Sequence, residues 1–256
     1  MEESILNILF SRLKPINSRI LFLVPALNID NAIKVNQALN GAGLVAVSAN
    51  KYSSAESLAQ EAKQMQDKLG VISIALGEAD FSQAEKVIKA ALLSKPDHIN
   101  QPFELSGYAQ GRLHQAGVKH TIINALVQEA NREDQVIIKI GKKNAERIIT
   151  LQIRDAMELI SGWGIKSVKA QFTKKGVNFN WLANITRAAK EAGLELVEPS
   201  SGITEENINE VINTGLKCGC AFILPHVFSS LIDKSTGLTK PEAVSRMVEL
   251  VRQRFI

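Results

Sequence analysis

The sequence is poor in cysteine and aromatic residues, and it lacks long apolar runs. The two cysteines, Cys218 and Cys220, are two positions apart. That spacing is too close for an easy disulfide, so both are expected to be reduced thiols. Aromatic residues make up 5% of the chain, which argues against a surface that stacks single-stranded nucleic acid. No apolar run approaches the roughly 18 residues of a membrane span, so none is predicted.

The start of the chain also lacks the features of a secretion signal. Met1-Glu2-Glu3-Ser4 is acidic, whereas a signal peptide begins with basic residues and ends at a small-residue cleavage site. The sequence therefore predicts a cytoplasmic protein. The four histidines show no metal-binding spacing with one another or with a cysteine pair, and neither a metal nor a cofactor is expected.

The charge balance is mildly basic. Lys and Arg total 30 against 26 Asp and Glu, a net charge of +4, and 22% of the chain is charged. The hydrophobic fraction of 45% is that of a folded chain with a large core. Without a basic block or a base-reading motif, this surplus indicates an anionic small molecule rather than nucleic acid.

Short apolar runs recur along the whole chain and are predicted to be strands. Most are continuous rather than alternating, as in strands that are buried on both faces. One run, 97–101, is polar and is included because the spacing requires a strand there. The nine candidates are residues 19–25, 43–48, 71–76, 97–101, 120–127, 136–140, 167–172, 194–198 and 221–225.

Helical patterns fill most of the gaps between these runs. In residues 55–69, Leu58, Ala62, Met65 and Leu69 form one apolar stripe at helical spacing,. The same period predicts further helices at 82–93, 145–160, 181–192, 206–216 and 241–254.

The alternation of strand and helix in units of about 25 residues is typical of an α/β barrel. Nine strands are one too many for it. The connection 128–135 is too short and polar for a crossover helix, so 136–140 is interpreted as a hairpin strand added to the barrel. We therefore predict a single TIM-barrel domain, (β/α)8, over residues 1–256 with an extra β-hairpin strand. An open doubly wound sheet is the alternative, but no glycine-rich fingerprint follows the first strand.

Catalytic groups in such a barrel lie at the carboxyl ends of the strands. Lys169 lies within an apolar strand, where desolvation favours the free amine that forms an imine with a ketone. Lys139 has the same character and remains a rival. Glu198 ends its strand and is a candidate general acid or base. Strand alternation puts it on the opposite face from Glu195, so at most one of the two points inward.

Two loops at the strand ends are candidates for binding an anion. Ser201 and Gly202 lie in a loop of small residues after the seventh barrel strand, a common phosphate site in this fold. The loop after the eighth strand starts near His226 and is rich in hydroxyl groups. It provides Ser229 and Ser230 as hydrogen-bond donors.

Several segments together resemble a known family. Residues 168–172 (VKAQF) look like the lysine-bearing strand of pyruvate-dependent class I aldolases. Residues 225–237 (PHVFSSLIDKSTG) are similar to the 2-dehydro-3-deoxyphosphogluconate aldolases that are encoded with hexosaminate-degradation enzymes. Residues 97–101, 122–127 and 194–203 fit the same family in order.

The resemblance implies a TIM-barrel lyase, and a homo-oligomer is expected. Its reaction would be cleavage of a phosphorylated sugar acid, 2-dehydro-3-deoxy-6-phosphogluconate, to pyruvate and glyceraldehyde 3-phosphate, without a metal. Lys169 matches the imine-forming lysine, which ranks it above Lys139, and Glu198 matches a strand-end acid. The residues expected to bind substrate are Asn100, Gln101, Asn124, Lys139, Ser201, Gly202, His226, Ser229 and Ser230.

The sequence departs from the family at the predicted barrel mouth. Ser200-Ser201-Gly202 stands where the family tends to have a threonine and two glycines, and Gly141-Lys142-Lys143-Asn144 replaces a Ser/Thr-Gly-Pro turn. The hairpin tip 128–135 is charged, and the Phe-Pro pair that the family tends to have after Lys169 does not stand at that position. These changes predict weak turnover or a different 2-keto acid. Two alternatives remain: a sugar-phosphate isomerase or epimerase that uses Glu198 and His226 without an imine, and a non-catalytic metabolite-binding relative.

Overall fold

The computed structural model describes residues 5–78, 80–140, 147–173 and 176–255. Strands and helices alternate along these residues. The strands are β1 (Phe22–Pro25), β2 (Gly43–Ser48), β3 (Ile72–Ala75), β4 (His98–Pro102), β5 (Ile122–Glu129), β6 (Gln135–Ile140), β7 (Arg147–Gln152), β8 (Ser167–Gln171), β9 (Leu196–Ser200) and β10 (Phe222–Ile223). The helices are α1 (Ile5–Ser11), α2 (Ile29–Leu39), α3 (Ala55–Leu69), α4 (Ala84–Ser94), α5 (Phe103–Gln115), α6 (Ile153–Gly162), α7 (Phe179–Glu191), α8 (Ile208–Cys218) and α9 (Pro241–Phe255).

Eight of the strands form a closed parallel barrel. Their order is β1-β2-β3-β4-β5-β8-β9-β10, and each neighbouring pair is parallel. Parallel bridges from Ile20 to Ile223 and from Leu23 to His226 join the last strand to the first. The predicted (β/α)8 barrel is confirmed, and the open-sheet alternative is wrong because the two sheet edges pair with each other.

The amino-terminal end of the barrel is covered by α1. Leu6, Leu9 and Phe10 of this helix are buried in a cluster with side chains from the first residues of the barrel strands, such as Leu44 and Leu196. The ring centroids of Phe10 and Phe222 are 4.1 Å apart. The carboxyl ends of the strands therefore form the end of the barrel at which a site can be reached.

The inserted hairpin contains one strand more than the sequence predicts. β5 pairs antiparallel with β6, as expected, but β6 also pairs along its whole length with β7. Part of the predicted helix 145–160 is thus a strand, and α6 starts only at Ile153. The β-branched residues Ile148, Ile149 and Thr150 favour the extended chain, and pairing with β6 supplies its backbone hydrogen bonds. Residues 145 and 146 lie outside the described residues.

A membrane span is not expected from the sequence, and the structure offers no candidate for one. Within the described ranges, no helix is long and apolar enough to cross a bilayer.

Candidate active site

A buried carboxylate lies at the centre of the barrel. Lys169 of β8 and Glu198 of β9 are partners in the parallel register, so their side chains lie on the same face of the sheet. Glu198 is fully buried and accepts hydrogen bonds from four side chains on the inner face. The donors are Ser167 Oγ, Asn124 Nδ2 at 2.7 Å, His98 Nε2 at 3.1 Å and His226 Nε2 at 2.6 Å.

The contacts of Glu198 keep it ionised. Burial by itself raises the pKa of a carboxyl group, but the charge of His98 and the hydrogen bonds from both histidines hold the pKa of Glu198 well below its usual range. A carboxylate that accepts four hydrogen bonds holds the donating side chains in fixed positions. In this state Glu198 is a proton acceptor and not a proton donor, and its predicted role as a general acid or base stays a prediction.

The network continues from Glu198 across the barrel. His98 Nδ1 lies 2.8 Å from Ser73 Oγ on β3, so both ring nitrogens of His98 have partners. Asn124 Nδ2 also donates to Asn100 Oδ1. Both histidines contact the carboxylate directly, and among the described residues no cluster of His, Cys, Asp and Glu is arranged to hold a metal ion.

The surroundings of Lys169 shift its pKa in the direction that makes the side chain more reactive. Its side chain is partly buried, and the pKa of Lys169 is lowered to about 8, because burial disfavours the ammonium more than the charge of Glu198 favours it. About a tenth of an amine with that pKa is free at pH 7. The site thus combines a fixed negative charge with an amine that loses its proton near neutral pH.

Four buried polar atoms beside this network have no hydrogen-bond partner in the described part of the chain. They are Asn100 Nδ2, Asn124 Oδ1, Ser200 Oγ and His226 Nδ1. Buried polar atoms are nearly always paired. Four such atoms on the inner face of one barrel, around one lysine, indicate a surface that binds a polar ligand.

The structure brings together five of the predicted site residues and separates two from them. Lys169, Glu198, Asn100, Asn124 and His226 share the inner face. Gln101 does not, because alternation along β4 turns it outward.

Gln101 Nε2 donates to the carbonyl of Ala84 at the start of α4, which holds its amide away from Lys169 and Glu198, and its role in substrate binding stays a prediction. Lys139 is on β6, off the closed barrel path, opposite Ile148 of β7. It therefore lies outside the ring of strands that holds Lys169.

The hydroxyl-rich loops meet at the carboxyl end of the barrel. Ser230 Oγ donates to the carbonyl of Ile203 at 3.0 Å, which joins the loop after β10 to the loop after β9. A cavity of about 520 Å³ opens there, and its lining consists of Thr204, Ser229, Ser230, Ile232, Asp233, Lys234 and Lys240. Lys142, Lys143, Lys174 and Lys175 lie outside the described residues.

The other two predicted anion-binding residues lie next to this cavity rather than in its wall. Ser201 Oγ is 3.5 Å from Gln171 Nε2. Gly202 packs against the backbone of Gly176, where an added Cβ would lie 3.1 Å from the Cα of Gly176. Of the four residues, Ser229 and Ser230 alone line the cavity.

Two residues that contact Glu198 directly, His98 and Ser167, are missed as site residues by sequence reasoning. Each lies two positions before a residue that is predicted, Asn100 and Lys169 respectively. Residues two apart on a strand share a face. That spacing is the signal that could have identified them.

Ser201 occupies a backbone conformation that suits glycine, with φ of 72°. A left-handed conformation costs an L-residue roughly 1–2 kcal/mol. Ser201→Gly is therefore expected to raise the free energy of unfolding by about 1 kcal/mol, measured by urea denaturation. Ser229→Gly, at an exposed site where φ is not positive, is the control and should not stabilise the protein. Equal effects of the two changes would contradict the assignment of strain.

Two known structures that are similar to this chain have the same fold. N-(5'-phosphoribosyl)anthranilate isomerase from Pyrococcus furiosus aligns with a TM-score of 0.58 at 12% identity, over 91% of this chain and 99% of its own. KGPDC from Streptococcus mutans aligns with a TM-score of 0.56 at 12% identity, over 93% and 99%. At such identities the likeness shows the fold alone, and that fold is the TIM barrel.

Sequence comparison then gives the family. The KDGP aldolase family model matches residues 16–235. A 2-dehydro-3-deoxy-phosphogluconate aldolase of Salmonella typhimurium (strain 14028s / SGSC 2262) is 30% identical over 235 residues, which are 91% of this chain and 95% of that protein. The chain belongs to the KDGP aldolase family and is a lyase of the aldolase type. The family predicted from the sequence is confirmed.

Proposed function

We propose that this chain is a class I aldolase in which Lys169 forms an imine with a 2-keto acid. The substrate would be 2-dehydro-3-deoxy-6-phosphogluconate or a related 2-keto-3-deoxy acid, and the products pyruvate and an aldehyde. One observation carries the proposal: a lysine whose pKa is lowered to about 8 faces the barrel interior as the register neighbour of an ionised glutamate.

The chemistry starts with the free amine of Lys169. Its nitrogen attacks the C2 ketone, water is lost, and a protonated imine forms. The imine nitrogen accepts the electron pair of the C3–C4 bond as that bond breaks, which leaves the enamine of pyruvate and releases the aldehyde. The scheme therefore needs no metal and no organic cofactor. The negative charge of Glu198 stabilises the cationic imine beside it.

Polar atoms around Lys169 support binding of the keto-acid end. Asn100 Nδ2 is a free donor that suits a carboxylate, and Asn124 Oδ1 is a free acceptor that suits a hydroxyl group,. The bonds of Asn124 to Asn100 and Glu198 keep both amides oriented without using these atoms.

We place the phosphate of the substrate in the cavity whose lining includes Ser229, Ser230, Lys234 and Lys240. The carboxylate of Asp233 also lines it and accepts hydrogen bonds from Ser235 and Thr236 in its own turn. The loss of one charged hydrogen bond costs about 1.5–3 kcal/mol, or roughly 10- to 150-fold in binding. Lys234→Ala is therefore expected to raise KM for the phosphorylated substrate about tenfold or more and to leave imine formation with pyruvate unchanged. Steady-state kinetics and pyruvate trapping measure the two effects.

A matched control for this prediction is Lys166→Ala, because Lys166 is an exposed lysine that directly precedes β8, at the opposite end of that strand. It should leave both measurements unchanged. The same KM in the Lys234 variant and the wild-type protein would contradict the phosphate site. An anion found in a crystal only at Lys142 and Lys143 would do the same.

The test of the proposed function is reduction with borohydride in the presence of pyruvate. One pyruvate-derived mass per chain, on the peptide that contains Lys169, is the expected result. Turnover of the phosphorylated substrate without any adduct would overturn the proposal and favour a sugar-phosphate isomerase or epimerase mechanism instead.

A further inference from the structure

His226 lies in the candidate site, and the reaction proposed above gives it no role. It follows β10 and bridges Ser200 on one side and Leu23 on the other. Ser200 lies two residues after Glu198 on β9. His226, as the bridge partner of Ser200, therefore lies nearer the carboxyl end of the barrel than Glu198 does. Its side chain is buried, with 2% exposed, and its ring is stacked on Phe228 with centroids 5.9 Å apart.

The two ring nitrogens of His226 have different environments. Nε2 lies 2.6 Å from Glu198 Oε2, and an ionised carboxylate only accepts, so Nε2 carries the hydrogen. In a neutral ring the other nitrogen then has a free lone pair. That atom, Nδ1, is buried and has no partner among the described residues.

The ring of His226 is neutral at pH 7. Burial and the nearby charge of Lys169 lower the pKa of His226 to about 3, although Glu198 opposes both. Glu198, which His226 contacts, is also the register neighbour of Lys169, so both side chains lie beside the same carboxylate. His98 differs, because its Nδ1 is occupied by Ser73.

We propose that His226 Nδ1 is the catalytic base that removes the proton from the C4 hydroxyl group of the imine-bound substrate. This assignment rests on the proposed aldolase function. Glu198, with four donors already bound, is the positioning residue: it fixes the ring with Nδ1 unprotonated and stabilises the imidazolium that forms.

In this step Nδ1 takes the hydroxyl proton, and the O–H electron pair forms the C4 carbonyl. The C3–C4 bond breaks, and its electron pair forms the C2–C3 double bond as the C=N electrons move to nitrogen. After the aldehyde leaves, the same proton passes from Nδ1 to C3 of the enamine. The ring is neutral again, and hydrolysis of the imine releases pyruvate.

Exchange of the pyruvate methyl hydrogens in D₂O tests this assignment without the phosphorylated substrate, because exchange requires a base at C3 of the pyruvate imine. In His226→Gln, the amide nitrogen of glutamine can still donate to Glu198, but the Nδ1 lone pair is gone. Exchange, followed by NMR, is expected to fall at least 100-fold, since a positioned base contributes about 10²–10⁴-fold. Borohydride trapping of pyruvate should remain within a few-fold of wild type.

His120→Gln is the control, since His120 is exposed and precedes β5, outside the network around Glu198. Its exchange should stay within about tenfold of wild type. Wild-type exchange by His226→Gln would overturn the role of Nδ1. Absence of any adduct in the wild-type protein would instead overturn the aldolase proposal.

If His226→Gln fails to fold, a measurement on the wild-type protein still tests the assignment. In ¹⁵N NMR of histidine-labelled protein, His226 should show a protonated Nε2 and an unprotonated Nδ1 at neutral pH. A hydrogen on Nδ1 would overturn the assignment, because that atom could not then accept a proton.

Discussion

Lys169→Ala is expected to abolish the trapping of pyruvate by borohydride, because the strand register puts Lys169 beside Glu198 on the inner face of the barrel. Lys139→Ala is the matched control. Lys139 is the rival nucleophile in the sequence, but it lies on β6, off the barrel path, so this change should leave the yield of adduct as in wild type. Mass spectrometry of the reduced protein measures both. An adduct that persists in Lys169→Ala, or one found at position 139, would contradict the assignment.

The rate of trapping in the wild-type protein should also follow the titration of Lys169. Only the free amine attacks, and its pKa is about 8. The rate is therefore expected to rise about tenfold per pH unit below pH 8 and to level off above it. Lys139→Ala should give the same profile, and a midpoint near 10.5 would show that burial does not perturb Lys169.

Glu198→Ala is expected to lower the free energy of unfolding by about 3–5 kcal/mol, the usual cost of removing one partner from a buried charged network. Four donors would lose their acceptor at a fully buried position,. The measurement is the midpoint of urea unfolding at an unchanged slope. Glu195→Ala removes a partly exposed carboxylate 4.0 Å from Lys166 and should cost less than about 1 kcal/mol. Similar losses in both variants would contradict the central role of Glu198.

The stabilising effect of Glu198 has a defined pH dependence. The pKa of Glu198 is lower in the folded chain than in the unfolded chain, so its charge stabilises the fold fully above about pH 4.3. This contribution is lost as the pH falls through the folded-state value. The difference in stability between wild type and Glu198→Ala should therefore shrink in acid.

Most of the strands and helices of the barrel are predictable because they have a local signal, but α1, α2 and α5 are not predicted. α3 is predicted with the correct ends, since its apolar stripe is clear and Ser54 caps its first turn. α5 contains Gly107 and Gly111, which weaken its helical pattern. Glycine is required at position 107, because an added Cβ would lie 2.9 Å from the indole ring of Trp163. β7 is missed because its six residues also fit the period of the helix that follows.

The candidate site is harder to predict than the fold. In parallel strands buried on both faces, hydrophobicity does not show which side points inward. Asn100 and Gln101 are both polar and buried, and only the register of β4 against its neighbours separates them. The ionised state of Glu198 depends on donors from four other strands or strand ends, which no local pattern reveals.

The helix α1 covers the amino-terminal end of the barrel, where Leu6, Leu9 and Phe10 are buried against residues of the strands. Lys169 and Glu198 are therefore approached from the carboxyl ends of the strands. In the proposed reaction, a sugar acid then enters with its keto end first, and its phosphate stays near Ser229 and Ser230. The same proposal implies that the site selects substrates by the number of carbon atoms between the ketone and the phosphate.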